Sequence, residues 1–131
     1  MPEFVVISPK AEIHPSVIIG NFVEIRDFCI IGEGTRLGSF IIMAAGTWIG
    51  KNCQIHGQAA FADDRKLDGK KKSPRIENNV RFGTNVKVIG GVVIGDNAII
   101  GANSTVFCDV PPNQVWAGTP ARYIREVRKD E

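Results

Sequence analysis

Only two histidines, His14 and His56, stand among the 131 residues. Imidazole is the side chain whose ordinary pKa suits proton transfer near neutral pH, so these are the first places to look for a general base. Each follows an apolar strand position, Ile13 or Ile55, where a side chain leaves the core. His14 stands beside Pro15 near the N-terminus and reads as structural. His56 opens the stretch HGQAAFADD, in which Gln58, Asp63 and Asp64 offer amide and carboxylate groups for a hydroxyl or ammonium of a bound acceptor. Asp63 and Asp64 read equally well as loop residues paired with Arg65 and Lys66. Cys29, Cys53 and Cys108 lie far apart with no CxxC pair, which predicts neither a zinc site nor a disulfide framework, and no metal. They are expected to be small buried hydrophobes.

The elements that must position these groups emerge from a period of six. Steps of six from Ile7 reach Ile13, Ile19, Ile25, Ile31, Leu37, Met43, Ile49, Ile55 and Phe61, and a second phase runs from Ile76 through Phe82, Val88, Ile94 and Ile100 to Val106. All sixteen are apolar. Two residues before each stands a residue that is mostly small or β-branched, Val23, Cys29, Thr35 and Cys53 among them. Alternation puts these two positions on one side of a strand of about four residues and the position between them on the other. Three positions after the apolar residue comes a bend, carried by Gly34, Gly46, Asn52, Asn79, Gly91 and Asn97, residues that tolerate positive φ. Three such strands make one triangular coil, and coils stack as parallel strands about 4.8 Å apart.

This repeat resembles that of the hexapeptide-repeat proteins, and the resemblance implies an all-β, left-handed parallel β-helix of about eighteen residues per coil. One domain over residues 1–131 is expected. Sixteen basic against fourteen acidic side chains leave a net charge of +2, too little to suggest a nucleic-acid partner. No stretch approaches the ~18 apolar residues of a membrane span, and the first residues lack a secretory pattern, so a cytoplasmic location is expected.

Phe61 and Ile76 stand fifteen positions apart where the repeat needs six, so nine residues are extra. The segment of about 62–74, rich in Lys and Arg and holding Gly69 and Pro74, is expected to stay out of the core and project. A solvated insertion and an arm over a neighbouring subunit are both open readings.

The tail IGDNAIIGANSTVFCDVPPNQVWAGTPARYIREV resembles the closing segment of the hexapeptide-repeat acyltransferases. That resemblance implies acetyl-CoA as co-substrate, a short C-terminal helix over about 119–129, and a CoA groove formed by Gly83, Gly101, Ala102, Trp116, Ala117, Thr119, Pro120 and Arg122. Small residues there would let backbone amides approach the pantetheine arm, Trp116 would pack on adenine, and Arg122 with Arg125 would meet phosphates. The same tail would alternatively serve only to cap open strand edges.

His56 also resembles, by position, the general-base histidine of the galactoside and maltose acetyltransferases, which precedes a loop and a strand like RIENNVRFGTNV. Set against the N-acetyltransferases of nucleotide-linked amino sugars, GQAAFADD occupies their acceptor stretch, and His56 would then only orient the substrate. These likenesses imply acetyl transfer to an amino or hydroxyl group of a sugar or nucleotide-linked sugar. A non-catalytic assembly subunit is the alternative. The γ-class carbonic anhydrases share the fold, but two separated histidines do not supply their three-histidine metal set. The outward positions Glu12, Ile30, Trp48, Arg75 and Val93 fall on one face, more apolar than a water-facing sheet needs to be, and predict a subunit interface. The family implies a homotrimer with active sites between subunits.

Overall fold

The computed structural model describes residues 2–65 and 71–131. Its parallel strands stack into three faces, as the repeat predicts, of the left-handed β-helix that the resemblance implies. Face 1 holds Val5–Ile7, Val23–Ile25, Ile41–Met43, Ala60–Phe61, Lys87–Val88 and Thr105–Val106. Face 2 holds Glu12–Ile13, Ile30–Ile31, Trp48–Ile49, Arg75–Ile76 and Val93–Ile94. Face 3 holds Ile18–Ile19, Arg36–Leu37, Gln54–Ile55, Arg81–Phe82 and Ile99–Ile100, and ends in Gln114–Gly118 and Ala121–Glu126. The solenoid strands of two or three residues are shorter than the four expected, because each corner takes half of every six-residue unit.

The hydrogen-bond ladder explains which residues each position accepts. The Glu12 amide donates to the Cys29 carbonyl (2.8 Å) and the His14 amide to the Ile31 carbonyl (3.1 Å), so the outward and post-strand residues give N–H while the two inward residues give C=O. The first inward position therefore needs no ladder amide. Pro74 occupies one such position, buried, with its carbonyl accepting from the Trp48 amide at 3.1 Å, and this corrects the expectation that it stays outside the core. Inward Thr35 and Thr47 are fully buried, and their hydroxyls donate to the Gly50 and Ala44 carbonyls at 2.7 Å. Burial of aliphatic side chains such as Ile25, Ile49, Ile76 and Ile100 stabilises the prism by roughly 1.5–3 kcal/mol each. Cys29 and Cys53 are buried as expected, and burial pushes both thiols upward, whereas Cys108 is exposed.

The corners adopt positive φ at the predicted Gly and Asn positions, and also at Phe4, Phe22, Phe28 and Phe40. A left-handed conformation costs an ordinary residue roughly 1–2 kcal/mol. Stacking offsets it for three of these: the Phe4, Phe22 and Phe40 rings lie 4.9 Å apart, close to the spacing of the coils.

Two further expectations meet the structure here. The inserted segment begins and ends in a small antiparallel ladder, Asp64–Arg65 against Lys71–Lys72, which leaves the prism between face 1 and face 2. Residues 66–70, including Lys66 and Gly69, lie outside the described residues. The expected C-terminal helix is replaced by a strand: Ala121–Glu126 runs antiparallel to Gln114–Gly118, with Ala117 opposite Arg122 and Gly118 opposite Ala121. A strand satisfies the free edge that face 3 would otherwise present after Gln114–Gly118, and a helix could not.

Candidate active site

The cofactor and catalytic expectations converge on one corner, between face 3 and face 1. Register on face 3 aligns Ile55 with Phe82, Phe82 with Ile100, and Ile100 with Trp116. One residue farther along these strands, His56, Gly83, Gly101 and Ala117 therefore stand in a column. Beside them run Gly57, Thr84, Ala102 and Gly118. The glycines are required by close approach: a Cβ on Gly83 would lie 2.6 Å from the Ala102 amide nitrogen, and one on Gly101 would lie 2.9 Å from the Ala117 Cβ. The result is a trough floored by backbone along Gly83, Gly101 and Ala117, bounded on one side by the exposed imidazole of His56, beyond which the column continues through Gly38 and Gly20.

His56 lines a cleft of about 430 Å³ together with Arg36, Gln54, Gly57 and Thr84. Gln58 shares this corner, held at φ 62° with its carbonyl accepting from Lys87 Nζ at 2.6 Å. Asp63 is half-buried at the far end of Ala60–Phe61, so within one chain a full strand separates it from His56. Asp64 belongs to the antiparallel ladder, opposite Lys72. His14 stands on the other side of the prism, past face 2, where its Nδ1 meets the Ser16 hydroxyl at 2.8 Å and accepts from the Ser16 amide at 3.1 Å. The two histidines do not converge. Among the described residues no three His, Cys, Asp or Glu side chains gather as a metal site.

The tail residues divide by what already engages them. Thr119 follows the trough column, its Oγ1 donating to the Asn103 carbonyl at 3.0 Å, and Pro120 forms the hairpin turn. Trp116 is half-buried against the end of the core, its Nε1 donating to Gln114 Oε1 at 2.8 Å. Arg122 is exposed, with Nη1 donating to the Ala121 carbonyl at 3.0 Å. Arg125 is clasped by Glu131 through bonds of 2.6 and 2.9 Å, and Glu131, which also accepts from the Arg128 amide, is lowered to about 2 chiefly by this Arg125 contact.

Sequence reasoning missed Arg36, Gln54 and Thr84. A reading of outward residues on every face, rather than face 2 alone, would have placed Arg36 and Gln54 in one line beside His56.

The family described as bacterial transferase hexapeptide (six repeats) matches residues 73–108. Galactoside O-acetyltransferase of Escherichia coli K12 is 56% identical over 52 residues, 40% of this chain and 26% of that protein. Serine acetyltransferase of Synechococcus elongatus is 38% identical over 76 residues, 58% of this chain and 31% of that protein. The matches thus span under a third of these relatives' lengths. Among solved structures, a hexapeptide-repeat acetyltransferase from Vibrio cholerae superposes with a TM-score of 0.71 at 27% identity, covering 92% of this chain and 72% of that one. The same protein is known in complex with acetyl-CoA, and that structure superposes with a TM-score of 0.70 over 97% of this chain. With the six-residue repeat, the three-faced solenoid and these likenesses together, the chain carries the transferase hexapeptide repeat over residues 73–108 and is similar in sequence and fold to hexapeptide-repeat acetyltransferases.

Proposed function

We propose that the protein is a CoA-dependent acetyltransferase that moves an acetyl group from acetyl-CoA to an amino or hydroxyl group of a sugar or nucleotide-linked sugar. The observation that carries this reading is the column of His56, Gly83, Gly101 and Ala117. A thioester chain laid along a backbone-floored trough meets an imidazole at its end. In this reading Gly83, Gly101, Ala102, Ala117, Thr119 and Pro120 flank the pantetheine, with Trp116 and Arg122 toward the nucleotide end.

The chemistry follows from what the groups can do. His56 takes the proton as the acceptor's nitrogen or oxygen attacks the thioester carbonyl, an amide of this corner such as that of Thr84 receives the oxyanion, and collapse expels the CoA thiolate. The thiolate then takes a proton. Gln58, Asp63 and Asp64 are assigned to the acceptor. Because Asp63 stands a strand away from His56 in one chain, the arrangement favours a site completed by a neighbouring subunit. A homotrimer with sites between prisms meets that need, with face 2 as the contact. Among the described residues no helix is long and apolar enough to cross a membrane; the cytoplasmic location is part of the proposal.

The test is thiol release from acetyl-CoA over a panel of simple sugars, nucleotide-linked amino sugars and hydroxylated acceptors. Acceptor-dependent release is expected from at least one sugar class. Acetyl-CoA that neither turns over nor raises the melting temperature would leave the non-catalytic assembly role instead.

A further inference from the structure

Outward arginines of this prism are normally neutralised by their own neighbours. Arg26 pairs with Glu24 at 3.1 Å, and Arg75 pairs with Glu77 at 2.8 Å while lying 3.9 Å over the Trp48 ring. Arg36 and Arg81 differ. Neither has an ion-pair partner among the described residues, and both lie on face 3 in register with Gln54, which stands between them. Two strand spacings of about 4.8 Å separate their backbones. Both side chains leave the same face, so their guanidinium groups can converge above the Gln54 amide.

The surrounding surface matches a ligand of that shape. Arg36 and Gln54 line the His56 cleft, while Gln54 and Arg81 line the neighbouring cleft of about 560 Å³ beneath residues 127–131. Gln54 belongs to both, so the two are continuous across the face. Exposed Ile18 follows Arg36 on one side, and Ile99 follows Arg81 on the other. The polar trio is thus an island in an otherwise apolar column.

We infer that Arg36, Gln54 and Arg81 form a binding site for a diphosphate, placed so that its carrier reaches His56. Two guanidinium forks supply paired charge-assisted bonds to adjacent phosphoryl groups, and the Gln54 side-chain N–H donates between them. A single carboxylate would engage one arginine and leave the other unmatched. The diphosphate belongs either to a nucleotide-linked acceptor or to CoA. The acceptor assignment rests on the acetyltransferase reading, whereas the site itself does not.

The experiment is calorimetric titration of the full chain with uridine diphosphate and, separately, with CoA. It compares the unaltered protein with Arg36→Gln, Arg81→Gln and the control Arg26→Gln, each checked for an unchanged melting temperature. A loss of about 10- to 100-fold in uridine diphosphate affinity for both face-3 variants, with CoA unaffected, assigns the site to the acceptor. The same loss for CoA alone assigns it to the donor. Affinities for both ligands equal to those of the control overturn the site, as does absence of binding by either ligand to the unaltered protein. Arginine-dependent binding without any thiol release would refute the enzyme reading and keep the site. Thiol release with unaltered binding in both variants would do the reverse.

Discussion

The Arg75 guanidinium lies 3.9 Å over the Trp48 ring, with Arg75 and Trp48 as direct partners on neighbouring strands of face 2. The pair covers one side of the indole but leaves it only half-buried, in line with Ile30, which is 38% exposed. Trp48→Glu places a carboxylate in this column, where Arg75 can pair with it in a monomer but where an apolar partner surface cannot receive it. Light scattering is expected to show a trimer for the unaltered chain and a smaller species for the variant. A stable monomer before mutation would remove face 2 as an interface.

Gly83 tests the trough without touching the proposed base. Any Cβ there meets the Ala102 backbone at 2.6 Å, and backbone cannot swing aside. Gly83→Val is expected to cost roughly 1–3 kcal/mol by overpacking and to lower the melting temperature by several degrees. Acetyl-CoA affinity should fall as well. A variant as stable as the parent would show that the coils are looser than their register implies.

Glu131 predicts a pH response at the tail. Its carboxyl is lowered to about 2 by Arg125, so the clasp favours the folded arrangement fully above the ordinary carboxyl value of 4.5 and is lost as pH falls from there toward 2. Side-chain carboxyl shifts followed by NMR are expected to place the Glu131 midpoint well below those of exposed glutamates. Glu131→Gln should abolish the change in the Arg125 side-chain signal that the parent shows as pH falls through about 2. An ordinary Glu131 midpoint would mean that the clasp is open in solution.

Phe22 offers a test of the corners. Its φ of 57° is unfavourable for an aromatic residue, and stacking on both Phe4 and Phe40 compensates. Phe22→Asn suits the backbone but removes both stacks, each worth about 0.5–1.5 kcal/mol. The stacks outweigh the backbone term of about 1–2 kcal/mol when both are near their upper values, so a small loss of stability is expected on thermal denaturation. A clear gain would show that the rings contribute little and that the exposed stack is maintained at a cost.

How much of this was legible in the residues depends on where the information resides. The inward column is a single-residue property at fixed spacing, and the structure buries it from Ile25 to Val106, while at the open N-terminal end Ile13 and Ile19 are half-buried and Ile7 is 42% exposed. The Gly and Asn corners follow from local backbone preference and were equally readable. Phe4, Phe22 and Phe40 were not, because their backbone preference opposes the conformation they adopt and only the stacking of successive coils reverses it. The C-terminal strand was missed for a similar reason. Ala121–Glu126 has no strong local signal, and the unpaired edge of Gln114–Gly118 decides its conformation. The trough was legible as a run of small residues, but its alignment with His56 requires the register across the nine-residue insertion, which places Gln54 against Arg81.

The central claim is that His56 serves as the base at the end of that trough, and turnover of His56→Ala with the best acceptor measures it most directly. Loss of general-base catalysis is expected to lower kcat about 10²- to 10⁴-fold while leaving the KM for acetyl-CoA nearly unchanged. A variant that turns over at the parent's rate would contradict the account.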